Sequence, residues 1–425
     1  MRCFRFFISF MAITLLAAEQ AFGAEGEYKL IQVAVFSRHN IRTPLTKAGS
    51  VTDSLIAPGL EWYKWSAPAG ELSLKGGLSE TAMGQYFSQW LEAEGMIPPD
   101  WQPTAREALF YANSLQRTRA TARYFASGML PTAKVKIKHR PRILNKVFLP
   151  LLSASSEAFT NEARRELKLL ESTLQDSLAR AFAELEKVLE LESSPWFQVH
   201  GRHLVPEPVE IVYTKNHEPH ISSGSLRIGT HASDALVLQY YEEPDPREAA
   251  FGKDLDYGDW ERIASIKDVF IDMLFGLPVV GLNVATGMID ELIKELSAKG
   301  RKFTFLCGHD SSVTSIMTAL GAYCPERLKA IENRAPLGGK LVFEKYLKDG
   351  VQYARLRLIY PGSSQLRSPE PLTLDNPPMI CTLKFKGLQA NEDGYYIYAD
   401  FIGRMKEALR AGRNADTGVL PDYLR

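Results

Sequence analysis

The sequence contains little cysteine, and this scarcity excludes several classes of protein. Its 425 residues include four cysteines, and Cys3 lies in an N-terminal stretch that we expect to be removed. The other three thiols permit at most one internal disulfide, so the fold depends on a hydrophobic core and not on a disulfide framework. Cys324 and Cys381 are one possible pair. No Cys-x-x-Cys pair or Cys/His cluster with zinc-like spacing occurs, and we expect no metal and no other cofactor.

An excess of charge is also missing, because 50 basic residues balance 50 acidic ones. A general binder of nucleic acid or of anionic membranes needs surplus Lys and Arg. We therefore expect no nucleic-acid partner. Any site for an anion must be a local feature of the surface.

Long apolar runs are absent beyond the N-terminus. There, Arg2 and Arg5 precede an apolar run, and small residues end at Gly23. The run is short for a membrane anchor, and its pattern is typical of a secretory signal. We predict that residues 1–23 are a cleaved signal peptide and that the mature chain reaches a bacterial periplasm, unattached to the membrane. An uncleaved anchor is the alternative.

Three segments share a strand-like pattern followed by polar residues. Apolar runs cover residues 30–36 (LIQVAVF), 108–112 (ALFYA) and 303–307 (FTFLC), as in strands that are covered on both faces. The second and third runs lead into helical patterns at 114–126 and 311–320. This order predicts an α/β fold whose mostly parallel central sheet is flanked by helices.

The middle of the chain has a different character. From residue 150 to 290 the pattern is mainly helical, and strand-like patterns return near residue 340. The length also exceeds what one core usually serves. We therefore predict a discontinuous α/β catalytic domain, residues 24–149 and 291–425, with a mainly helical insertion at 150–290 that caps the active site.

Charged side chains follow each of the three predicted strands. In open α/β sheets, ligands bind beyond the carboxyl ends of the strands, where the N-termini of the next helices also favour anions. The candidates are Arg38, His39 and Arg42 after the first strand, Arg117 and Arg119 after the second, and His309 and Asp310 after the third.

These residue types suit one reaction. Guanidinium groups match phosphate oxygens in forked geometry and can stabilise a transferring phosphoryl group. A neutral imidazole is a nucleophile, and a carboxylic acid can protonate the leaving alcohol and then activate water. The set predicts a metal-independent phosphomonoesterase that acts on a small-molecule substrate.

Two short motifs resemble those of a known family. Residues 38–44 (RHNIRTP) resemble the RHGxRxP signature of histidine acid phosphatases, and Gly308-His309-Asp310 resembles their HD signature. Residues 111–118 (YANSLQRT) are similar to the family's third phosphate-binding segment. The resemblance covers nearly the whole mature chain, is greatest for periplasmic bacterial glucose-1-phosphatases, and implies a phosphoglycerate-mutase-like fold.

The resemblance also implies roles for individual residues. Glu218 aligns with a carboxylate that contacts the sugar, although an exposed loop glutamate is an equal alternative. Arg119 falls outside the matched positions and is expected to be a charge on a helix surface. The implied nucleophile is His39, the proton donor is Asp310, and the phosphate ligands are Arg38, Arg42, Arg117 and His309.

Three positions depart from the family pattern. Asn40 replaces the usual glycine, which we expect to put a side chain beside the nucleophile, and Leu45 is apolar where phytases tend to be polar or basic. Both favour the glucose-1-phosphatase group over the phytases. Ser312 stands where relatives usually have Asn, so the support of Asp310 is expected to differ.

We therefore expect a periplasmic histidine acid phosphatase that hydrolyses glucose 1-phosphate and related sugar phosphates through a phosphohistidine. Its pH–rate profile should be bell-shaped with an acidic optimum. We expect a monomer or a homodimer. The alternatives are a phytase or broad acid phosphatase, a mutase-like transferase, a metallohydrolase that uses His39, His309 and Asp310 as ligands, and a non-catalytic phosphate-binding protein.

Overall fold

The computed structural model describes residues 26–45, 50–140 and 145–425, and the predicted signal peptide lies outside this part of the chain. Its centre is an eight-stranded sheet in the order β10-β9-β8-β1-β6-β2-β3, with β12 beside β9. The strands are β1 Lys29–Arg38, β2 Ala108–Ala112, β3 Ile137–Lys138, β4 Ile211–Val212, β5 His220–Ile221, β6 Phe303–Gly308, β7 Ala322–Tyr323, β8 Lys340–Lys348, β9 Val351–Tyr360, β10 Met379–Thr382, β11 Lys384–Phe385 and β12 Tyr396–Ile397.

Helices cover both faces of this sheet and fill the middle of the chain. A π-helical turn, Asp272–Gly276, interrupts the run from α8 to α9. The helices are α1 Val51–Ser54, α2 Leu74–Ala93, α3 Gln116–Met129, α4 Glu157–Leu189, α5 Pro195–His200, α6 Ser225–Glu242, α7 Pro246–Ala249, α8 Tyr257–Ile271, α9 Pro278–Val284, α10 Thr286–Ser297, α11 Asp310–Leu320, α12 Ser363–Arg367 and α13 Tyr398–Arg413.

The register of the sheet brings the three predicted strands to one edge. β6 lies between β1 and β2 and is parallel to both, with Arg38 opposite Gly308 and Ala112 opposite Cys307. The residues that follow these positions therefore leave the sheet side by side. The α/β class is confirmed, and β8, β9 and β10 extend the sheet in antiparallel fashion beyond β1.

Between β3 and β6 the described chain is almost entirely helical, and the two-residue strands β4 and β5 are its only strands. In this segment α8 packs against both α4 and α6. The helix α8 begins with a capping box in which Asp256 and Asp259 each accept a hydrogen bond from the other's backbone N–H. This cap fixes the start of a helix that later contributes to the site.

Apolar packing occurs on both sides of the sheet. On one side Phe87, Phe125 and Phe305 join α2 and α3 to the strands. On the other side Phe36 and Phe148 belong to a larger cluster that continues into the helical segment. Burial of aromatic side chains contributes a large share of folding free energy.

Cys324 and Cys381 form a disulfide with their Cα atoms 6.1 Å apart, so the possible pairing is the one found. Cys307, at the end of β6, is a buried free thiol. Among the described residues, no helix is both long enough and apolar enough to span a membrane.

Candidate active site

A cavity of about 700 Å³ opens at the carboxyl edge of the parallel strands. One of its walls comes from strand ends and the other from the helical segment. Arg38 is buried beside this cavity and reaches it through Asp310. The other predicted site residues all line the cavity: His39, Arg42, Arg117, Glu218, His309 and Asp310.

His39 is held in one tautomer by its own backbone. Its Nδ1 lies 2.9 Å from the carbonyl oxygen of Asn40, and because a carbonyl only accepts, Nδ1 carries the proton and donates it. Nε2 is then left with a free lone pair. Burial, together with the positive charges of Arg117 and Arg42, holds the pKa of His39 well below its usual range. The imidazole therefore stays neutral to lower pH than an exposed histidine would.

His309 faces His39 with the ring centroids 5.4 Å apart. The side-chain oxygen of Asn113 accepts a hydrogen bond from the backbone N–H of Ser114 at 2.6 Å, so its amide nitrogen must face His309. That nitrogen donates to Nε2 of His309 at 2.9 Å, which leaves Nδ1–H as the donor of the ring. Burial and Arg117 lower the pKa of His309 to about 3. This histidine is thus a neutral hydrogen-bond donor.

Three guanidinium groups surround the two rings. Arg42 donates to Asp234 at 2.9 Å and to the carbonyl oxygen of Thr43 at 3.0 Å. Arg117 is half-buried near the start of α3, and burial followed by repulsion from Arg42 lowers its pKa to about 10. It is therefore cationic at neutral and acidic pH.

Arg38 is buried at the end of β1. One of its terminal nitrogens lies 3.3 Å from Asp310, and the other lies 3.6 Å from Glu332 and donates to the carbonyl oxygen of Ala335. The Nε atoms of Arg38 and Arg117 are buried and have no hydrogen-bond partner among the described residues. A buried donor without a partner is costly, so both are ready to bind an oxyanion.

Asp310 begins α11 and accepts a hydrogen bond from the backbone N–H of Ser311 at 2.9 Å. Burial would raise the pKa of this carboxyl, but the cations Lys267 and Arg38 outweigh burial and hold the pKa well below its usual range. Lys267 and Arg38 each approach Asp310 to 3.3 Å. The carboxyl group is therefore ionised before a ligand arrives.

Two residues of the helical segment enter the site without having been predicted. Asp234 on α6 lies between Arg42 at 2.9 Å and Lys267 of α8 at 2.5 Å. A lone carboxylate within the apolar run of α6 was a usable signal, since a buried charge requires a partner. Lys267 gave no comparable signal, because lysines on helices are usually solvated.

Asn40 does not shape the cavity, contrary to the expectation that its side chain lies beside the nucleophile. Its side chain is fully buried and donates to Glu80 at 2.9 Å and to Ser79 at 3.2 Å. Glu80 in turn pairs with Lys340 at 3.0 Å, and both of these side chains are inaccessible to solvent. Asn40 therefore supports the loop after β1 from below.

Ser312 also points away from the cavity. Its hydroxyl donates to the carbonyl oxygen of Phe148 at 2.9 Å, which ties the start of α11 to the loop at residues 145–152. Arg38, Lys267 and the backbone N–H of Ser311 contact Asp310, whereas Ser312 does not.

Glu218 and Leu45 line the outer part of the cavity. Glu218 is accessible to water, yet the surrounding protein and the negative charge of Asp310 raise the pKa of its carboxyl. Leu45 is 55% exposed and presents an apolar surface at the mouth. Arg119 lies outside the cavity and contacts His139 at 3.2 Å, as expected for a helix-surface charge.

Within the described part of the chain, no three metal-ligating side chains gather closely enough to hold an ion. The cavity combines a neutral imidazole with cations that suit phosphate oxygens, and together with the matches to known proteins it identifies the chain as a phosphomonoester hydrolase. Residues 29–187 match the model of the histidine phosphatase superfamily (branch 2). The chain belongs to this family.

Similar proteins agree with this assignment. The chain is 33% identical over 407 residues to a glucose-1-phosphatase of Salmonella typhimurium, and the alignment covers 94% of this chain and 97% of that one. It is 33% identical over 396 residues to a glucose-1-phosphatase of Providencia rettgeri, with 91% and 93% covered. The solved phytase of Citrobacter braakii shares the fold, with a TM-score of 0.80 at 22% identity over 90% of this chain and 98% of that one.

Proposed function

We propose that the chain is an exported acid phosphatase that hydrolyses glucose 1-phosphate and related sugar phosphates through a phosphohistidine on His39. The observation that carries this proposal is the fixed tautomer of His39, whose Nδ1–H is bound to Asn40 so that Nε2 is free inside a cationic cavity. Likeness to glucose-1-phosphatases supports the substrate class. The basic and apolar N-terminus supports export to the periplasm.

In the first step, Nε2 of His39 attacks phosphorus while the bond from phosphorus to the leaving oxygen breaks. Arg38, Arg42 and Arg117, with Nδ1–H of His309, hold the oxygens of the transferring group. Asp310 gives a proton to the leaving oxygen, so the sugar departs as a neutral alcohol.

In the second step, water attacks the phosphorus of phosphohistidine and the nitrogen–phosphorus bond breaks. The carboxylate of Asp310, left by the first step, takes the proton from that water. Inorganic phosphate leaves with the proton, and His39 returns to its starting tautomer. The two half-reactions thus use one carboxyl group as acid and then as base.

The pH dependence follows from the two pKa shifts. Since burial and the arginines lower the pKa of His39, the nucleophile stays neutral as the pH falls. Lys267 and Arg38 keep Asp310 ionised, so it acquires its proton only when negative phosphate is bound nearby, and the second pKa of a phosphomonoester is about 6. Activity should therefore fall above about pH 6 and again where His39 becomes protonated.

In this proposal, residues of the helical segment and the cavity mouth contact the leaving group. Glu218 is placed to accept hydrogen bonds from sugar hydroxyls, and Leu45 offers an apolar contact instead of a further charge. We propose that residues 150–290 form the insertion that caps the site, on the α/β domain made by residues 24–149 and 291–425.

A rapid-quench experiment with labelled glucose 1-phosphate tests the mechanism. We expect acid-labile, base-stable phosphate on the wild-type chain and none on His39→Ala. Phosphate that accumulates on another residue, or turnover without any phosphoenzyme, would disprove the assigned nucleophile. Activity lost in EDTA and restored by a divalent ion would favour the metallohydrolase instead.

A substrate panel tests the specificity and the acid together. We expect glucose 1-phosphate to be turned over with higher kcat/KM than inositol hexakisphosphate. Asp310→Asn should lower sugar phosphate hydrolysis on the order of 10³-fold and nitrophenyl phosphate hydrolysis much less, because nitrophenolate leaves without a proton. Equal losses on both substrates would remove Asp310 from the role of acid.

A further inference from the structure

Five charged side chains form an unbroken series across the floor of the cavity, and their signs alternate. Arg38 contacts Asp310 at 3.3 Å, Asp310 contacts Lys267 at 3.3 Å, Lys267 contacts Asp234 at 2.5 Å, and Asp234 contacts Arg42 at 2.9 Å. Asp310 has a role in the proposed reaction. Asp234 has no role in that reaction. It is nevertheless only 9% exposed, and it pairs with two cations that could otherwise bind phosphate.

We propose that Asp234 determines specificity by limiting how much negative charge the cavity accepts, so that the enzyme favours substrates with a single phosphate and releases inorganic phosphate readily. This inference rests on the proposed function and adds the substrate class to it. Asp234 does not touch the reacting atoms in this account. Its carboxylate pairs with Arg42 and Lys267 and so weakens their attraction for phosphate oxygens.

The charge balance of the cavity supports this role. Among the charged residues that line the cavity, Arg42, Arg117, Arg227 and Lys267 are cationic and Glu218, Asp234 and Asp310 are acidic, which leaves an excess of one positive charge. His39 and His309 are neutral, and the charge of Arg38 beside the cavity is offset by Glu332. A phosphomonoester carries about −1.5 to −2 charges near neutral pH. One phosphate therefore neutralises the cavity, and further phosphates would meet a site without surplus charge.

Asp234 keeps its charge under acidic conditions. Burial opposes ionisation, but Arg42 and Lys267 outweigh it and hold the pKa of Asp234 far below its usual range. The other charged or titratable groups that face it are Arg117 and His231, which also lines the cavity. The limit that Asp234 imposes is thus present throughout the pH range in which the enzyme is expected to work.

Calorimetric titration with inorganic phosphate tests the inference directly. Asp234→Asn should bind phosphate about tenfold more tightly than the wild type, since one negative charge beside the ligand is lost. Product inhibition should strengthen to the same degree, and kcat/KM should shift toward inositol hexakisphosphate relative to glucose 1-phosphate. Asp254→Asn, which removes an exposed carboxylate outside the cavity, is the matched control and should change neither quantity.

Unchanged or weaker phosphate binding by a folded Asp234→Asn variant would overturn the inference and leave phosphohistidine formation untouched. If this variant does not fold, the same comparison is made on a Lys267→Met background, where Asp234 still pairs with Arg42 and its replacement leaves no lysine charge without a partner. Lys267→Met should weaken phosphate binding, and the additional Asp234→Asn should restore it about tenfold. If Asp234→Asn on this background leaves phosphate binding unchanged, the role of Asp234 is rejected as well.

Discussion

The two walls of the cavity are built differently. The inner wall consists of residues that directly follow β1, β2 and β6, and its histidines are fixed by backbone or amide hydrogen bonds. The outer wall consists of single side chains from helices and from the loop before β5, such as Glu218, Asp234 and Lys267. In the proposed mechanism, phosphate therefore binds at the sheet edge, whereas the leaving group contacts a wall in which single residues can be substituted independently.

The largest effect on activity is expected when the proposed nucleophile is removed from the inner wall. His39→Ala should lower kcat on the order of 10⁵-fold on every substrate, because covalent transfer is lost while the cations remain. Inorganic phosphate should still bind, as measured by calorimetry. His139→Ala, a histidine outside the cavity, should behave as the wild type, and comparable losses in both variants would contradict the division.

A smaller loss is expected when one phosphate ligand of the inner wall is removed. Arg42→Leu should reduce kcat/KM about 10²- to 10³-fold for sugar and nitrophenyl phosphates alike, since both present the same phosphoryl group. Steady-state kinetics on the two substrates measures this ratio. Arg119→Leu is the matched control, and an Arg42 effect confined to one substrate would place this arginine on the leaving-group side.

Substitutions in the outer wall should affect sugar phosphates and spare other substrates. Glu218→Gln should raise KM for glucose 1-phosphate about tenfold, because a neutral amide is a weaker acceptor for sugar hydroxyls than a carboxylate. Hydrolysis of nitrophenyl phosphate should be nearly unchanged. Glu210→Gln removes an exposed carboxylate outside the cavity and serves as the control. Parallel losses on both substrates would show that Glu218 acts on the phosphate.

The smallest effect on catalysis is expected beneath the inner wall. Asn40→Gly removes buried hydrogen bonds to Glu80 and Ser79, which should lower the free energy of unfolding by about 1–3 kcal/mol. The ratio of activities on glucose 1-phosphate and inositol hexakisphosphate should not change, because the side chain does not line the cavity. Denaturant unfolding measures the stability, and the substrate panel measures the ratio of activities. A changed activity ratio with unchanged stability would show that Asn40 acts on the cavity and not on the fold.

The same contrast explains what the sequence could predict. Inner-wall residues lie in short motifs after apolar runs, so the strand pattern alone predicts that His39, His309 and Asp310 meet at one edge. Arg38 was predicted as a phosphate ligand, but its contacts with Glu332 and Ala335 could not be predicted because those residues lie far along the chain.

The outer wall could not be predicted in the same way. Whether Asp234 and Lys267 meet depends on how α6 packs against α8, and helical periodicity does not fix that geometry. Asn40 shows the opposite case, a residue that was predicted to lie at the cavity and does not. Its position next to His39 in the motif suggested a role in the cavity, but in the loop after β1 its side chain turns toward Glu80 and Ser79.

The pairing of β1 with β6 has a consequence for how the molecule matures. Val33 lies opposite Phe303, so most of the polypeptide separates two adjacent strands. Closing so large a loop is slow, and such contacts form late in folding. A chain that is still being synthesised therefore holds His39 apart from His309 and Asp310, and it can become active only when the residues near 310 dock.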